Sequence, residues 1–434
     1  MKDGGRLMAA IEIIDDILSR RRPAADALKD WGLAHRFAGS GDRAAIGNLV
    51  FDALRRRLSL AWRMGDDNGR ALVLGAYVTM WGKDLADLDA VLGDDRHAPE
   101  PLGDAERAAL AGEVRDGAPD HVLADVPDWL WPEFVAAFGE RAVDEGRALA
   151  DRAPLDLRVN TLKADREKVM KALSRFGAVE TPLSPVGLRI AAPDGPKRLP
   201  HVQSEDAFRK GWFEIQDEAS QLAALLAGGL GGGQTVDYCA GAGGKTLALA
   251  AQSRNAGQIY AHDADQRRFG DIRERLKRAG VRNVQLRGPD GDTLSDLEGR
   301  ADTVLVDAPC TGTGTWRRRP DAKWRVAPGA LELRIAEQEA VLAEAARLVK
   351  PGGHLVYATC SLLAAENEGR IAAFLDANPG FRLAAPGDAW LAATGEAMPE
   401  GLRAAVGDRG DCARLTPATS GTDGFFVALM QRAE

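Results

Sequence analysis

Two cysteines stand in short motifs that could do covalent chemistry. Cys310 lies in DAPCTGTGTWRRRPDAKWR and Cys360 in YATCSLLAAENE. Each follows a short apolar run, TVLVD for the first and HLVYAT for the second, of the kind that forms a buried strand. Successive strands of a doubly wound sheet lie side by side, roughly 5 Å apart, so both thiols would face one pocket beside Asp307. Inert packing explains either cysteine alone. It does not explain two at matching strand ends next to a carboxylate. The chemistry that needs such a pair is alkylation of a pyrimidine at C5. That carbon becomes nucleophilic only after a thiolate adds at C6, when it can take a methyl group from a sulfonium. A carboxyl group bonded to N3 and N4 stabilises the adduct. A base must then remove the C5 proton so that the thiolate can leave, and a second thiol can assist that step. The residues alone leave open which cysteine attacks.

A glycine-rich turn lies upstream. Strand-like TVDYC runs into AGAGGKT and an apolar helix. A P-loop would need glycine at Cys239, and the dinucleotide fingerprint would need glycine at Thr246, so both patterns fail. What remains is the turn of a Rossmann-like methyltransferase. Cys239, Ala240, Gly241, Ala242, Gly243, Gly244 and Lys245 would form the S-adenosylmethionine loop, with the glycines permitting close backbone approach. Asp263, closing the next strand QIYAHD, is placed to accept the ribose hydroxyls. After Cys310, the run Trp316, Arg317, Arg318, Arg319, Lys323, Trp324 and Arg325 offers five cations and two indoles with one acid. That mix suits flanking phosphates and a splayed, stacked base, so the run is the candidate RNA contact.

These residues need a scaffold, and the pattern supplies one. From 216 to 434 short apolar strands alternate with helices, which predicts an α/β, doubly wound, mostly parallel sheet with its ligands at the carboxyl ends of the strands. Residues 151–215 read as a small α+β, RRM-like unit. Residues 1–150 read as an all-α domain, with the stripe Leu7, Ile11, Ile14, Leu18 and a second helix through Ile46 and Leu54 capped by Asp42.

The whole chain of 434 residues carries a net charge of −8 with 45% apolar and 28% charged residues. That is ordinary globular composition, and the acidity speaks against a nucleic-acid binder. Counted by segment, the objection fails. Residues 84–128 hold thirteen acids against three basic residues, while 1–83 is net positive and 151–434 is neutral. The acidic stretch is expected to be a solvated helical face turned away from RNA. Four cysteines without a CxxC pair, and six histidines, give neither a disulfide framework nor a metal site. The amphipathic start is not a signal peptide and no stretch is a good membrane span, so a cytoplasmic monomer without metal is expected.

The motifs LRVNTLK, FEIQDEASQL, DYCAGAGGKT, DAPCTGTGTWRRRPDAKW, YATCSLLAAENE and TDGFFVALM occur in order over about 155–430. Together they resemble the RNA cytosine-5 methyltransferases of the Sun/nucleolar-protein group, most of all its bacterial small-subunit ribosomal RNA branch. Residues 1–150 loosely resemble that branch's NusB-like helical domain. The resemblance implies Cys360 as nucleophile, Cys310 as the cysteine that assists release, and Asp307 as the acid that holds the cytosine edge near the methyl donor. It implies S-adenosylmethionine as cofactor and ribosomal RNA as partner. It implies Asp290 over Asp292 as the acid after the third strand, and Lys163 as a possible RNA contact. The turn departs from the family's Ala-Ala-Pro-Gly-Gly-Lys by reading AGAGGK. A transfer RNA substrate, a DNA cytosine-5 methyltransferase (disfavoured by the TCS cysteine) and a non-catalytic assembly factor (disfavoured by the intact Asp307, Cys310 and Cys360) are the competing readings.

Overall fold

The computed structural model describes residues 1–93, 96–112, 117–228, 233–289 and 294–434. The chain divides into two compact units. One comprises Met1–Ala153, Ala192–Leu199 and Thr315–Pro328; the other comprises Pro154–Ala191, Pro200–Gly314 and Gly329–Glu434.

The first unit is helical. Helix Asp3–Arg20 buries Leu7, Ala10, Ile14 and Ile17, the stripe that its 3.6-residue periodicity dictates. It packs on Ser40–Arg55, which buries Ile46, Leu49, Val50 and Leu54, and on Gly69–Thr79. The expected cap of the second helix is corrected: Gly39 occupies the N-cap and Asp42 the third helical position, accepting from Gly39 N at 3.1 Å. Asp42 is held there because Arg6 on the first helix donates to it at 2.7 Å. Within 84–128, helices Leu85–Val91 and Asp104–Ala111 pair acids with local cations, as in Arg107–Asp89 at 2.8 Å and Arg70–Glu106 at 2.6 Å.

The second unit holds two sheets. The smaller joins β1 (Leu155–Val159), β2 (Val179–Glu180), β3 (Gly187–Ile190) and β4 (Phe213–Ile215) in the order β2-β3-β1-β4, all antiparallel. Its buried face carries Leu157, Val159, Leu188, Ile190 and Phe213. The larger sheet has β5 (Gln234–Asp237), β6 (Gln258–His262), β7 (Val284–Arg287), β8 (Ala301–Asp307), β9 (Val349–Thr359), β10 (Phe381–Leu383), β11 (Arg403–Ala405), β12 (Asp411–Leu415) and β13 (Phe425–Arg432). The order is β11-β12-β13-β9-β8-β5-β6-β7, with β10 on β13. Strands β9 to β7 are parallel, and β13 runs antiparallel beside β9. Val304, Leu305 and Val306 on β8 are fully buried, as a parallel strand covered on both faces requires. The chain enters the sheet at β5, runs outward to β7, then returns to β8 on the other side. The order therefore reverses between β5 and β8, and ligands bind at the carboxyl edge of such a switch point.

Candidate active site

The carboxyl ends of β5, β6, β8 and β9 carry the chemistry. Strands β8 and β9 pair in register with Asp307 beside Ala358, which sets the residues that follow them side by side. Cys310 Sγ and Cys360 Sγ stand 3.4 Å apart, both half-buried. Hydrogen bonds tie the two loops together. Gly314 N donates to Cys360 O at 2.9 Å, and Leu362 N donates to Thr313 Oγ1 at 2.8 Å. Gly314 also lies against the backbone of Gly424, where an added Cβ would stand 2.2 Å from Gly424 O.

At the centre of this clamp is Glu366, fully buried. Its carboxylate accepts from Thr311 N at 2.8 Å, Thr311 Oγ1 at 2.5 Å, Gln338 Nε2 at 3.0 Å and Ser361 Oγ. One buried anion thus fixes the residue after Cys310 and the residue after Cys360. Asn367 adds a second tie, accepting from Thr359 Oγ1 at 2.6 Å and donating to Ser361 O at 2.9 Å. Composition and periodicity mark neither residue. The AAENE run that follows TCS contains both, and their role becomes visible only when the two strand ends meet.

The Cys310 thiol is pushed well above its ordinary range by its hydrogen bond to Cys360, by burial, and by the charges of Cys360 and Glu366. Either sulfur can donate to the other across this contact. Asp307 closes β8, three residues before Cys310, and Lys245 Nζ pairs with its Oδ2 at 2.7 Å. Lys245 is itself buried and stands over the Phe425 ring at 4.9 Å.

The glycine turn runs from β5 into helix Gly244–Gln252. Gly241 has φ 54° with open space where a Cβ would stand, and Gly243 has φ 81° against Ile272, where a Cβ would clash at 2.5 Å. Asp263, almost fully buried, accepts from Gly241 N at 2.8 Å and Asp265 N at 2.9 Å, so it shapes the loop. Asp237, at the end of β5, accepts from Thr246 Oγ1 at 2.6 Å, while its other oxygen is buried without a partner. Burial pushes this carboxyl up to about 7, and the nearby Asp307 and Asp263 add to the shift while Thr246 opposes it. Burial also pushes the Cys239 thiol up, with help from Asp307, so Cys239 is a packing residue at the turn and not a reactive thiolate. Three carboxylates around an open glycine turn suit a cationic ligand with free hydroxyls, which is the donor set that S-adenosylmethionine presents. The orphaned Asp237 oxygen is an unused acceptor beside it.

Two expectations change. The run after Cys310 belongs to the helical unit, and it does not present two indoles to a ligand. Trp316 is buried and stacks on Phe134, with ring centroids 5.6 Å apart. Lys323 is buried, donates to Arg55 O at 3.0 Å and is pushed down to about 8 by burial. Trp324 Nε1 donates to Leu54 O at 2.7 Å, and Arg317 is buried as well. Large aromatic surface gains more from packing on helices than from waiting in water. Of this run Arg319 and Arg325 are exposed and Arg318 is half-buried, with Arg325 paired to Asp321 at 3.1 Å. Lys163 is also spoken for: its Nζ donates to Arg278 O at 2.7 Å, capping the end of helix Ile272–Ala279. Asp290 and Asp292 lie outside the described residues.

Among the described residues no group of His, Cys, Asp and Glu could hold a metal ion, and no helix is long and apolar enough to cross a membrane.

A glycine turn after the first strand, an acid after the second and reactive residues after the fourth and fifth define a Rossmann-like methyltransferase. Comparison with known proteins agrees. The profile of the 16S rRNA methyltransferase RsmB/F family matches residues 231–431, and that of the RsmF/B-like ferredoxin-like domain matches 126–195. Ribosomal RNA small subunit methyltransferase B of Sodalis glossinidius is 34% identical over 77% of this chain and 69% of its own. The probable ribosomal RNA small subunit methyltransferase B of a Synechocystis strain is 29% identical over 98% of both. Among solved structures, that of PH0851 covers 100% of this chain and 99% of its own with TM-score 0.73 at 26% identity. A methyltransferase homolog protein from Pyrococcus horikoshii covers 72% and 97% with TM-score 0.59 at 28% identity. The chain belongs to the RsmB/F family of S-adenosylmethionine-dependent ribosomal RNA methyltransferases.

Proposed function

We propose that the protein methylates C5 of a cytosine in 16S ribosomal RNA through a covalent bond between Cys360 Sγ and C6 of the base. The observation that carries the reading is the 3.4 Å approach of Cys310 and Cys360 beside Asp307. Cys360 is taken as the attacking sulfur because it stands in the TCS motif, where the resemblance puts the family's nucleophile, with Cys310 within hydrogen-bonding reach of it. Asp307, once a proton has passed to it, donates that proton to N3 and accepts from the N4 amine with its other oxygen, drawing electron density from the ring as the sulfur adds. S-adenosylmethionine supplies the electrophilic methyl group when bound over Cys239–Lys245 and Asp263. Once C5 carries that methyl, its proton passes to a base, the electrons of the C5–H bond form the C5–C6 double bond, and Cys360 leaves as thiolate. The Cys310 thiol can steady that leaving sulfur by donating its hydrogen bond. Arg318, Arg319 and Arg325 are proposed as phosphate contacts. The target must leave its stack to reach the pocket, which costs least in single-stranded RNA.

The test uses labelled S-adenosylmethionine with ribosomal RNA lacking the native mark, followed by nucleoside analysis. 5-Methylcytidine is expected in the product. Cys360→Ala should abolish transfer, and Cys310→Ala should accumulate a covalent protein–RNA adduct. The opposite pattern reverses the two roles, and transfer to a transfer RNA in preference would select the alternative substrate.

A further inference from the structure

The helical unit holds a cleft of about 570 Å³ that the methyl-transfer chemistry does not use. Five cations line it (Arg43, Arg55, Arg152, Lys197 and Arg198), and no carboxylate does. Its floor is apolar, with Leu28, Phe51 and Ala153. Behind it, buried Asp52 takes Arg55 at 2.9 Å and pairs with Arg152. Asp151 also acts on Arg55, so two anions stand against five cations, and the cleft keeps a positive excess. Arg55 is more than nine-tenths buried, and its Nε has no hydrogen-bond partner. Lys197 and Arg198 are exposed, and among the described residues neither side chain takes part in an ion pair or hydrogen bond. The loop that carries them is nonetheless fixed: Asn48 Nδ2 donates to Gly195 O at 3.0 Å and to Lys197 O at 2.7 Å. Arg152 also donates to Pro193 O at 2.6 Å. Arg43 donates to Ala38 O at 3.0 Å and both Arg55 and Arg152 pair with Asp52, so among the described residues Lys197 and Arg198 are the lining cations left to water, able to turn to an anion that enters the cleft.

We propose that this cleft binds the backbone of a single-stranded segment of the substrate RNA, with phosphates on the Arg43, Lys197 and Arg198 rim and a sugar or base face against Phe51. This rests on the reading of the protein as an RNA methyltransferase. The cleft would set affinity for RNA outside the target base, leaving the thiol chemistry to the other unit.

The test is Lys197→Ala with Arg198→Ala in the full-length protein, measured by fluorescence anisotropy against a short labelled single-stranded RNA over a range of salt. Each lost phosphate contact on single strands lowers the slope of log affinity against log salt by about 0.7. The double variant should therefore lose about 1.4 in slope and about tenfold in affinity near physiological salt. Both side chains are exposed, so the unfolding midpoint should stay at the wild-type value and show that the fold is intact. A variant with wild-type slope and affinity overturns the proposal. Wild-type protein that binds no RNA at all would instead overturn the RNA reading itself. Saturable binding of inorganic phosphate at micromolar concentration, lost in the variant, would make the cleft a small-anion site. Binding of polyglutamate lost in the variant would make it a site for an acidic protein. Either result overturns the RNA assignment.

Discussion

Glu366 is where removal of one side chain should separate the stability of the site from its chemistry. Its carboxylate accepts four hydrogen bonds in a fully buried position, two from Thr311 and one each from Gln338 and Ser361. Hydrogen bonds to a buried charge are worth about 1.5–3 kcal/mol each, and an orphaned buried donor costs about 1–3 kcal/mol. In Glu366→Ala the Thr311 and Ser361 hydroxyls, 3.4 Å apart, can turn to each other, and Gln338 Nε2 keeps Pro309 O at 2.9 Å. Thr311 N is left without a partner, and a cavity opens. We expect a loss of about 4 kcal/mol in urea unfolding. Glu366→Gln keeps one oxygen for Thr311 N and Gln338, while its new amide donates to the two hydroxyls. Only the charge is lost, and the expected cost is about 1–2 kcal/mol. Because the carboxylate fixes the residues that follow Cys310 and Cys360, Glu366→Ala should also lower kcat. A misplacement of order 1 Å costs about a hundredfold. The readout is single-turnover methyl transfer at saturating RNA, with RNA affinity measured in parallel and expected to be unchanged. A Glu366→Ala enzyme that unfolds as the wild type does and transfers methyl within twofold of it would refute the account of Glu366 as the clamp of the two loops.

Gly314→Ala places a methyl 2.2 Å from Gly424 O; the backbone must move, at about 3 kcal/mol, and adduct formation by Cys360 should slow with it, read by urea unfolding and RNA trapping. Trp316→Ala should cost about 4 kcal/mol in the unfolding of the helical unit through lost packing on Phe134, whereas an unchanged unfolding profile with weakened RNA binding would restore the ring as an RNA contact. Asp237 titrates near 7 in the fold against 3.8 for the free group. The folded state then binds the extra proton between these values, so stability present at pH 4 falls as pH rises to 7, by roughly 4 kcal/mol at most. Asp237→Asn should flatten that slope in unfolding measured at several pH values.

How far the sequence carried depended on what each signal measures. The alternation of apolar strands and helices gave the parallel sheet because burial on both faces leaves a continuous apolar run, as in Val304–Val306. Adjacent strands then brought Cys310 to Cys360 with no further information. The loop from Trp316 to Arg325 misled for a physical reason: indoles and cations suit both RNA stacking and helix packing, and only the partners decide. Phe134, Leu54 and Arg55, far away in sequence, are those partners. Glu366 was not legible because a carboxylate's role depends on donors brought from 311, 338 and 361. The cleft lined by Arg43 and Arg198 was hidden likewise, its cations being scattered over three stretches of chain.

The helical unit takes in residues 315–328, a stretch that lies between Cys310 and Cys360 in the chain. During synthesis its residues 1–153 are made with the seat of Trp316 empty, 192–199 follow, and 315–328 arrive only after β8 has been made. The first unit to emerge is therefore completed only at Pro328, after β5 to β8 of the large sheet have been made. For the same reason no single cut in the chain yields two whole units. A fragment beginning near residue 154 would carry Trp316 and Lys323 into water without the helices that bury them. In this family member, the catalytic half cannot be borrowed as a module without its helical partner.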